Sequence, residues 1–320
     1  MSLGFWGKLE KPIFVLAPMA DVTDVAFRRI IAEVAKPNVL WTEFVSADGL
    51  ALAPEGGKKK LLKTLEYSEA ERPIVAQFFT SSPEHMKEAA RLARELGFDG
   101  VDINMGCPDR SVEKQGAGAS LMRNVALARE LVRAAKEGAG TLPVSVKTRI
   151  GYSRPELESW LPEILKEEVV VVTIHARSRK EMSKVPARWE FIRRAVEIRD
   201  VSQSESLILG NGDVADIDDA RRKCKEFGCD GVMFGRAIFG NPWLFAEGKI
   251  PTTEEKLRVL VRHTKLFEKL LGGHKNFAVM KKHFKAYVAG FEGAGELRAR
   301  LMATSNANEV EKIVSDILLS

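Results

Sequence analysis

Short apolar runs alternate with amphipathic stretches along most of the chain. Eight segments read as strands: Ile13–Ala17, Val39–Val45, Ile74–Phe79, Gly100–Asn104, Val144–Thr148, Val169–Ile174, Ser206–Gly210 and Gly231–Phe234. The run Val169-Val170-Val171-Val172-Thr173-Ile174 is apolar almost throughout, as in strands covered on both faces. Helical spacing fills the intervals, over Thr23–Ala35, Pro83–Leu96, Val125–Glu137, Pro155–Lys166, Arg188–Ile198 and Val214–Phe227. Ser82-Pro83 reads as an N-cap followed by a first helical proline, and Asp213 as the residue preceding the Val214 helix. Strands and helices in this alternation predict an α/β fold, a (β/α)8 TIM barrel; a doubly wound sheet is the second architecture.

After Asn241-Pro242-Trp243 the pattern changes. Four amphipathic helices are expected over Glu254–Leu271, Ala278–Val288, Glu296–Met302 and Asn308–Leu319, with glycine-rich or polar breaks between them. The expected division is a barrel over residues 1–248 and an appended C-terminal all-α helical bundle over residues 249–320.

Composition narrows the classes. The 320 residues are 45% hydrophobic and 29% charged, as in ordinary soluble globular proteins. No apolar run approaches the ~20 residues of a membrane helix, and the first residues, Met1 to Lys8, hold no apolar signal core. Three cysteines without paired spacing fit a reducing, cytoplasmic setting. Cys224 and Cys229 lie close but lack companions for a zinc site, so no metal is expected. Net charge is +5, and its distribution says more: nine lysines and arginines fall between Lys256 and Lys285 against one acidic residue, Glu268. Such a stretch is the footprint expected for a polyanion.

The chemistry gathers at the predicted strand ends. Val101-Asp102-Ile103-Asn104 runs into Met105-Gly106-Cys107-Pro108, which delivers an amide and a thiol where the strand stops, followed by the glycine-rich Gln115–Ser120. The other strands end at Pro18-Met19-Ala20, Thr42-Glu43, Gln77, Lys147 and Arg149, His175 and Arg177, Asn211-Gly212-Asp213, and Gly235-Arg236. In a parallel barrel all of these converge on one mouth. The last two ends supply backbone N–H groups, close backbone approach and a fixed cation, the makings of a phosphate site. With Lys147 and Gln77 as inward donors, that site suits flavin mononucleotide (FMN). No Gly-x-Gly-x-x-Gly follows a strand, so a Rossmann nicotinamide domain is not indicated.

Seven motifs in order then resemble the tRNA-dihydrouridine synthase family: Ala-Pro-Met-Ala-Asp-Val-Thr-Asp (17–24), Thr-Glu-Phe-Val-Ser-Ala (42–47), Ile-Asn-Met-Gly-Cys-Pro (103–108), Val-Lys-Thr-Arg (146–149), Ile-His-Ala-Arg (174–177), Gly-Asn-Gly-Asp (210–213) and Met-Phe-Gly-Arg (233–236). The segment Met280–Gly290 is similar to the family's basic helix. Ala176 departs from the family, which often has Gly there, and Ser178–Pro186 is less glycine-rich than expected. The resemblance implies reduction of a specific tRNA uridine to 5,6-dihydrouridine, with FMN as cofactor and NADPH as reductant. It implies that Pro18, Met19, Ala20, Gln77, Lys147, His175, Asn211, Gly212, Asp213, Gly235 and Arg236 hold FMN, and that Cys107 is the proton donor. Hydride would go to uracil C6 and a proton to C5, which an ordinary thiol, protonated at neutral pH, can supply. Attack on C6 by a Cys107 thiolate is the rival role. Asn104 and Arg177 are candidate uracil contacts, and Lys281 and Lys282 candidate tRNA contacts. The chain is expected to act as a monomer with tRNA as partner and no membrane. The alternatives are a dihydroorotate dehydrogenase-like flavin barrel acting on a free pyrimidine, which has no use for a basic bundle, and a non-catalytic tRNA-binding protein.

Overall fold

The computed structural model describes residues 3–319; Met1, Ser2 and Ser320, which begin and end the expected division, lie outside the described residues. The strands are β1 (Ile13–Leu16), β2 (Leu40–Trp41), β3 (Val45–Ser46), β4 (Ile74–Phe79), β5 (Gly100–Asn104), β6 (Val144–Arg149), β7 (Val171–His175), β8 (Leu207–Asn211) and β9 (Gly231–Phe234). All pairings are parallel, in the order β1-β9-β8-β7-β6-β5-β4-β2, with β3 also on β4. Backbone contacts from the residues before β2 back to β1 close the ring: Asn38 N donates to Phe14 O at 2.9 Å and Leu16 N to Val39 O at 3.3 Å, beside a Val15–Val39 bridge. Closure makes this a (β/α)8 barrel and excludes the open doubly wound sheet.

The second predicted strand is in fact two. Leu40 pairs with Ile74 and Val45 with Phe78, so the residues between carry one more on this side than on β4. That extra residue is a bulge. Thr42 Oγ1 accepts from Gln77 N at 3.2 Å, standing in for a backbone carbonyl. The bend turns Glu43 toward the barrel mouth, where it meets Lys275.

The outer helices are α1 (Val25–Val34), α2 (Ala47–Leu52), α3 (Glu55–Thr64), α4 (Pro83–Glu95), α5 (Arg110–Lys114), α6 (Val125–Ala139), α7 (Leu157–Leu165), α8 (Glu190–Val201) and α9 (Ile217–Phe227). Ser82 caps α4 with Pro83 at its start, as the sequence indicates. The helix expected at Val214 instead opens at Ile217 under an Asp216 cap, leaving Asp213 in the preceding loop at φ +47°. Periodicity did not indicate α2, α3 or α5, which are short or, in α3, bury no residue. Trp6, from a turn before β1, closes the floor of the barrel against Ile13, Trp41, Val170 and Leu207.

After the barrel come α10 (Thr253–Leu271), α11 (Met280–Tyr287), α12 (Ala294–Met302) and α13 (Ala307–Leu319). Thr252 and Glu255 form a reciprocal capping box at the start of α10. These helices are docked on the barrel through α1. The Phe27 ring lies 4.9 Å from His263, stacked and nearly parallel, and 4.8 Å from His283, edge-on. Both imidazoles are wholly buried; Nε2 of His263 and both ring nitrogens of His283 have no hydrogen-bond partner. Burial holds both neutral, His263 well below its ordinary value and His283 down to about 3.

A histidine whose folded pKa is depressed costs the fold nothing above its unfolded value of ~6.5, and stability drains away as pH falls below it. Each of the two then removes about 1.4 kcal/mol per pH unit. Urea unfolding followed by circular dichroism between pH 6.5 and 4.5 should show a slope in the native protein that is steeper than in His283→Leu by about 1.4 kcal/mol per pH unit. An unchanged slope in the variant would mean that the histidine joint does not set the acid sensitivity.

Candidate active site

The C-terminal strand ends surround a cavity of about 700 Å³. Its wall contains Pro18, Met19, Lys147, His175, Arg177, Asn211, Gly212, Asp213, Gly235 and Arg236. Ten of the expected site residues are thus brought together. Ala20 is not in the wall: it is exposed in the loop after β1. Ala17, Ser183, Val214, Ala215, Met233 and Ala237 complete the lining and were not among the expected site residues; Ser183 lies in a loop whose path no local pattern reveals.

Cations dominate the mouth. Lys147 is partly buried and reaches Asn211 Oδ1 at 3.5 Å, while Asn211 donates to Met233 O at 2.8 Å. Burial, helped by the neighbouring Arg149 charge, pushes the Lys147 ammonium down to about 8. Arg177 Nη1 stands 3.0 Å from His175 Nε2. A guanidinium only donates, so Nε2 must accept and the imidazole is neutral, its proton on Nδ1. Burial and the surrounding Arg149 and Lys147 charges agree, holding His175 well below its ordinary value.

Arg177 is less available than expected for a substrate contact. Its Nε donates to Val185 O at 2.6 Å and its Nη2 to Asp213. Asp213 is likewise a wall element: it also takes Arg236 Nη2 at 2.6 Å and Ala187 N at 2.9 Å. The Arg177 bond holds its carboxyl below the usual range. The remaining Arg236 donors face solvent at the mouth, its side chain 69% exposed. Gly212 has φ +121°, and a Cβ there would stand 2.9 Å from Ala187 Cβ, so both conformation and space require glycine.

The thiol sits at the end of β5. Asn104 Oδ1 accepts from Gly106 N at 3.2 Å and Cys107 N at 2.9 Å, folding the chain around its own amide. Arg149 Nε grips Gly106 O at 2.7 Å, and its Nη1 holds Ser178 O and Met182 O at 3.2 and 3.0 Å. The β6 strand thereby ties the thiol loop to the 178–182 loop. Gly118, at φ +62°, lets that turn approach; a Cβ would lie 2.8 Å from Cys107 O. Cys107 is partly buried, and burial raises its thiol above the ordinary value despite Lys147 and Arg149 nearby. The thiol therefore keeps its proton at neutral pH, the form that a proton donor needs and a nucleophile does not.

Gln77 stands apart from the other expected cofactor contacts. It is fully buried beneath the mouth, with Nε2 donating to Asp102 Oδ2 at 2.6 Å and Oε1 accepting from Asn104 Nδ2 at 3.0 Å. It does not line the cavity. Asn104, expected at the uracil edge, spends its carbonyl on the Cys107 turn and one amide hydrogen on Gln77. Among the described residues no cluster of three His, Cys, Asp or Glu could hold a metal ion. Cys224 and Cys229 are buried, their sulfurs 3.8 Å apart and unbridged.

The basic stretch is also revised. Lys275 is bound to Glu43 Oε1 at 2.8 Å and Asp21 Oδ1 at 2.9 Å, pinning the bundle to the barrel mouth. Arg262 pairs with Glu33, Lys265 with Glu311 and Arg258 with Glu254. Among the described residues Lys281, Lys282 and Lys285 on α11 have no ion-pair partner; the first two are half-buried and Lys285 is exposed.

A closed parallel barrel with an acid thiol and a cation-lined cavity at its strand ends defines the class: a (β/α)8 barrel enzyme with its site on the C-terminal face. The chain belongs to the dihydrouridine synthase family, whose sequence model, "Dihydrouridine synthase (Dus)", matches residues 15–320. It is 40% identical over 319 residues to the Bacillus subtilis (strain 168) protein named "Probable tRNA-dihydrouridine synthase 2", covering 99% of this chain and 97% of that one. A Staphylococcus aureus (strain COL) protein named "Probable tRNA-dihydrouridine synthase" is also 40% identical over 319 residues, covering 99% and 96%. Among solved structures, morphinone reductase in complex with tetrahydroNAD shares the fold at a TM-score of 0.52 and 14% identity, covering 75% of this chain and 88% of that one. Histamine dehydrogenase from Rhizobium sp. 4-9 does so at 0.54 and 14%, covering 79% and 48%.

Thiol titration of the native protein should find one reactive cysteine, Cys107, absent from Cys107→Ala. Its rate should still be climbing past pH 9, because burial has raised the thiol. A plateau below pH 8 would instead mark a thiolate and restore the nucleophile role.

Proposed function

We propose that the protein reduces the 5,6 double bond of a uridine in tRNA to dihydrouridine, using FMN with NADPH as reductant. The observation that carries this reading is the protonated Cys107 thiol, held at the end of β5 beside a cavity walled by Lys147, His175 and Arg236. The cavity fits an anionic, cofactor-sized ligand: its volume of about 700 Å³ is ample, and its charged groups are mostly cationic. Arg236 has donors to spare for a phosphate, aided by the backbone at Gly212 and Gly235. Asp213 orients Arg177 and Arg236 and does not itself face an anion. Lys147 lies near enough to stabilise negative charge on a flavin ring, with Pro18 and Met19 as apolar wall. Bound there, FMN would supply the hydride to uracil C6.

The chain's own part is the proton. As charge develops at C5, Cys107 transfers its thiol proton to that carbon, and Lys147 and Arg149 stabilise the thiolate left behind. Asn104 holds the thiol loop, and Arg177 keeps His175 neutral as an uncharged neighbour of the cofactor. Residues 1–248 form the catalytic unit and residues 249–320 the tRNA-binding unit. A stacked uracil cannot reach the mouth, so it must be flipped out at a cost of a few kcal/mol, which backbone contacts offset. Lys281, Lys282 and Lys285 on α11 supply such contacts.

Nucleoside mass spectrometry of unmodified tRNA incubated with the protein, FMN and NADPH should reveal a gain of two hydrogens on a uridine. Cys107→Ala should lower the rate at least ~100-fold, the usual worth of a general acid. Reduction of free pyrimidines with none on tRNA would favour the small-pyrimidine reading. Reversing Lys281 and Lys282 to glutamate should weaken tRNA binding and flatten its dependence on salt. Unchanged affinity would remove α11 from the interface.

A further inference from the structure

Four side chains form one line of hydrogen bonds from inside the barrel to the thiol loop. Ser145 Oγ donates to Asp102 Oδ1 at 2.5 Å, Gln77 Nε2 to Asp102 Oδ2 at 2.6 Å, and Asn104 Nδ2 to Gln77 Oε1 at 3.0 Å; Asn104 Oδ1 then accepts from Cys107 N at 2.9 Å. Asp102, Gln77 and Ser145 are buried almost completely, and Asn104 is 6% exposed. The polarity of this line is dictated by its ends. An ionised carboxylate can only accept, and a backbone N–H can only donate. The two amides between must therefore both point nitrogen toward Asp102 and oxygen toward Cys107. Turning either one sets two acceptors or two donors face to face in a dry interior, which costs more than any single bond gains.

We infer that Asp102 is a positioning residue for Cys107, acting through the amides of Gln77 and Asn104 to fix the turn that presents the thiol. It does not line the cavity, and none of its side-chain hydrogen bonds reaches Cys107. The catalytic meaning of that positioning rests on the proposed proton-donor role; the relay itself does not.

The polarity argument supplies a test by reversal. In Asn104→Asp the new carboxylate still accepts from Cys107 N but can no longer donate to Gln77. Gln77 must turn, and its carbonyl then faces Asp102. Adding Asp102→Asn provides a donor there, so both bonds through Gln77 are remade in the opposite sense while Ser145 and Cys107 N donate as before. Gln77→Glu meets the same conflict with Asp102, and the same second change relieves it. Asp102→Asn alone should be mild, because the Ser145 hydroxyl can rotate to accept the new amide.

Each variant of the full chain would be followed by thermal melting and by the limiting rate of Cys107 alkylation at high pH, which removes any change in thiol pKa. Neither readout needs tRNA, so failure of the relay is distinguishable from failure of the proposed reaction. Asn104→Asp and Gln77→Glu should each shift the limiting rate about tenfold or melt well below the native protein, as broken buried networks do. The paired variants should return to within about threefold of the native rate, a strongly non-additive cycle. Additive effects in both pairs, or failure of both paired variants to fold, would overturn the inference. Rescue in either pair, including rescue of folding alone, supports it.

Discussion

Closure of the parallel ring is the constraint on which the rest depends. Once the residues around Val39 join β1, every strand points the same way and every strand end opens on one face. Side chains from segments far apart in the chain then share a space a few ångströms across. The bulge between β2 and β3 shows how tightly this is controlled. One extra residue breaks the ladder, and the break is what aims Glu43 at the mouth.

The mouth is electrostatically one-sided. Lys147, Arg149, Arg177 and Arg236 gather around a neutral His175, and burial, with repulsion from neighbouring cations second, lowers Lys147 and Arg149, the latter to about 10. Asp213 offsets only part of this charge. An anion in the cavity would relieve the repulsion, so the protein is arranged to gain by binding one. The thiol lies at the edge of the same field, and its burial outweighs the cations, which keeps the proton on sulfur. Burial and charge act in opposite directions on one atom, and the sign of the result decides whether it is an acid or a nucleophile.

The bundle is attached by two kinds of contact. Phe27 stacks on one buried neutral imidazole and meets the other edge-on, and Lys275 is clamped by Glu43 and Asp21. Part of the basic stretch therefore builds the joint, and another part stays unpaired on α11. A lysine-rich segment has served both assembly and surface charge, and only its partners separate the two uses.

The ring of strands and the identity of most mouth residues were legible in the chain itself. Apolar period, glycine and proline stops and helix caps act between near neighbours, so β4, β5 and β9 fall where local chemistry puts them. Cys107, Lys147, His175, Asn211 and Arg236 follow because a barrel must bring strand ends together. What local pattern could not reach was the partner of each group. Asp213 looked like a helix cap, and tertiary folding made it the clamp of two arginines. Gln77 looked like a cavity donor, and a carboxylate 25 residues away drew its amide inward. The reason is physical: conformational preference is set within a few residues along the chain, whereas the direction of a hydrogen bond is set by whichever donor or acceptor folding places opposite.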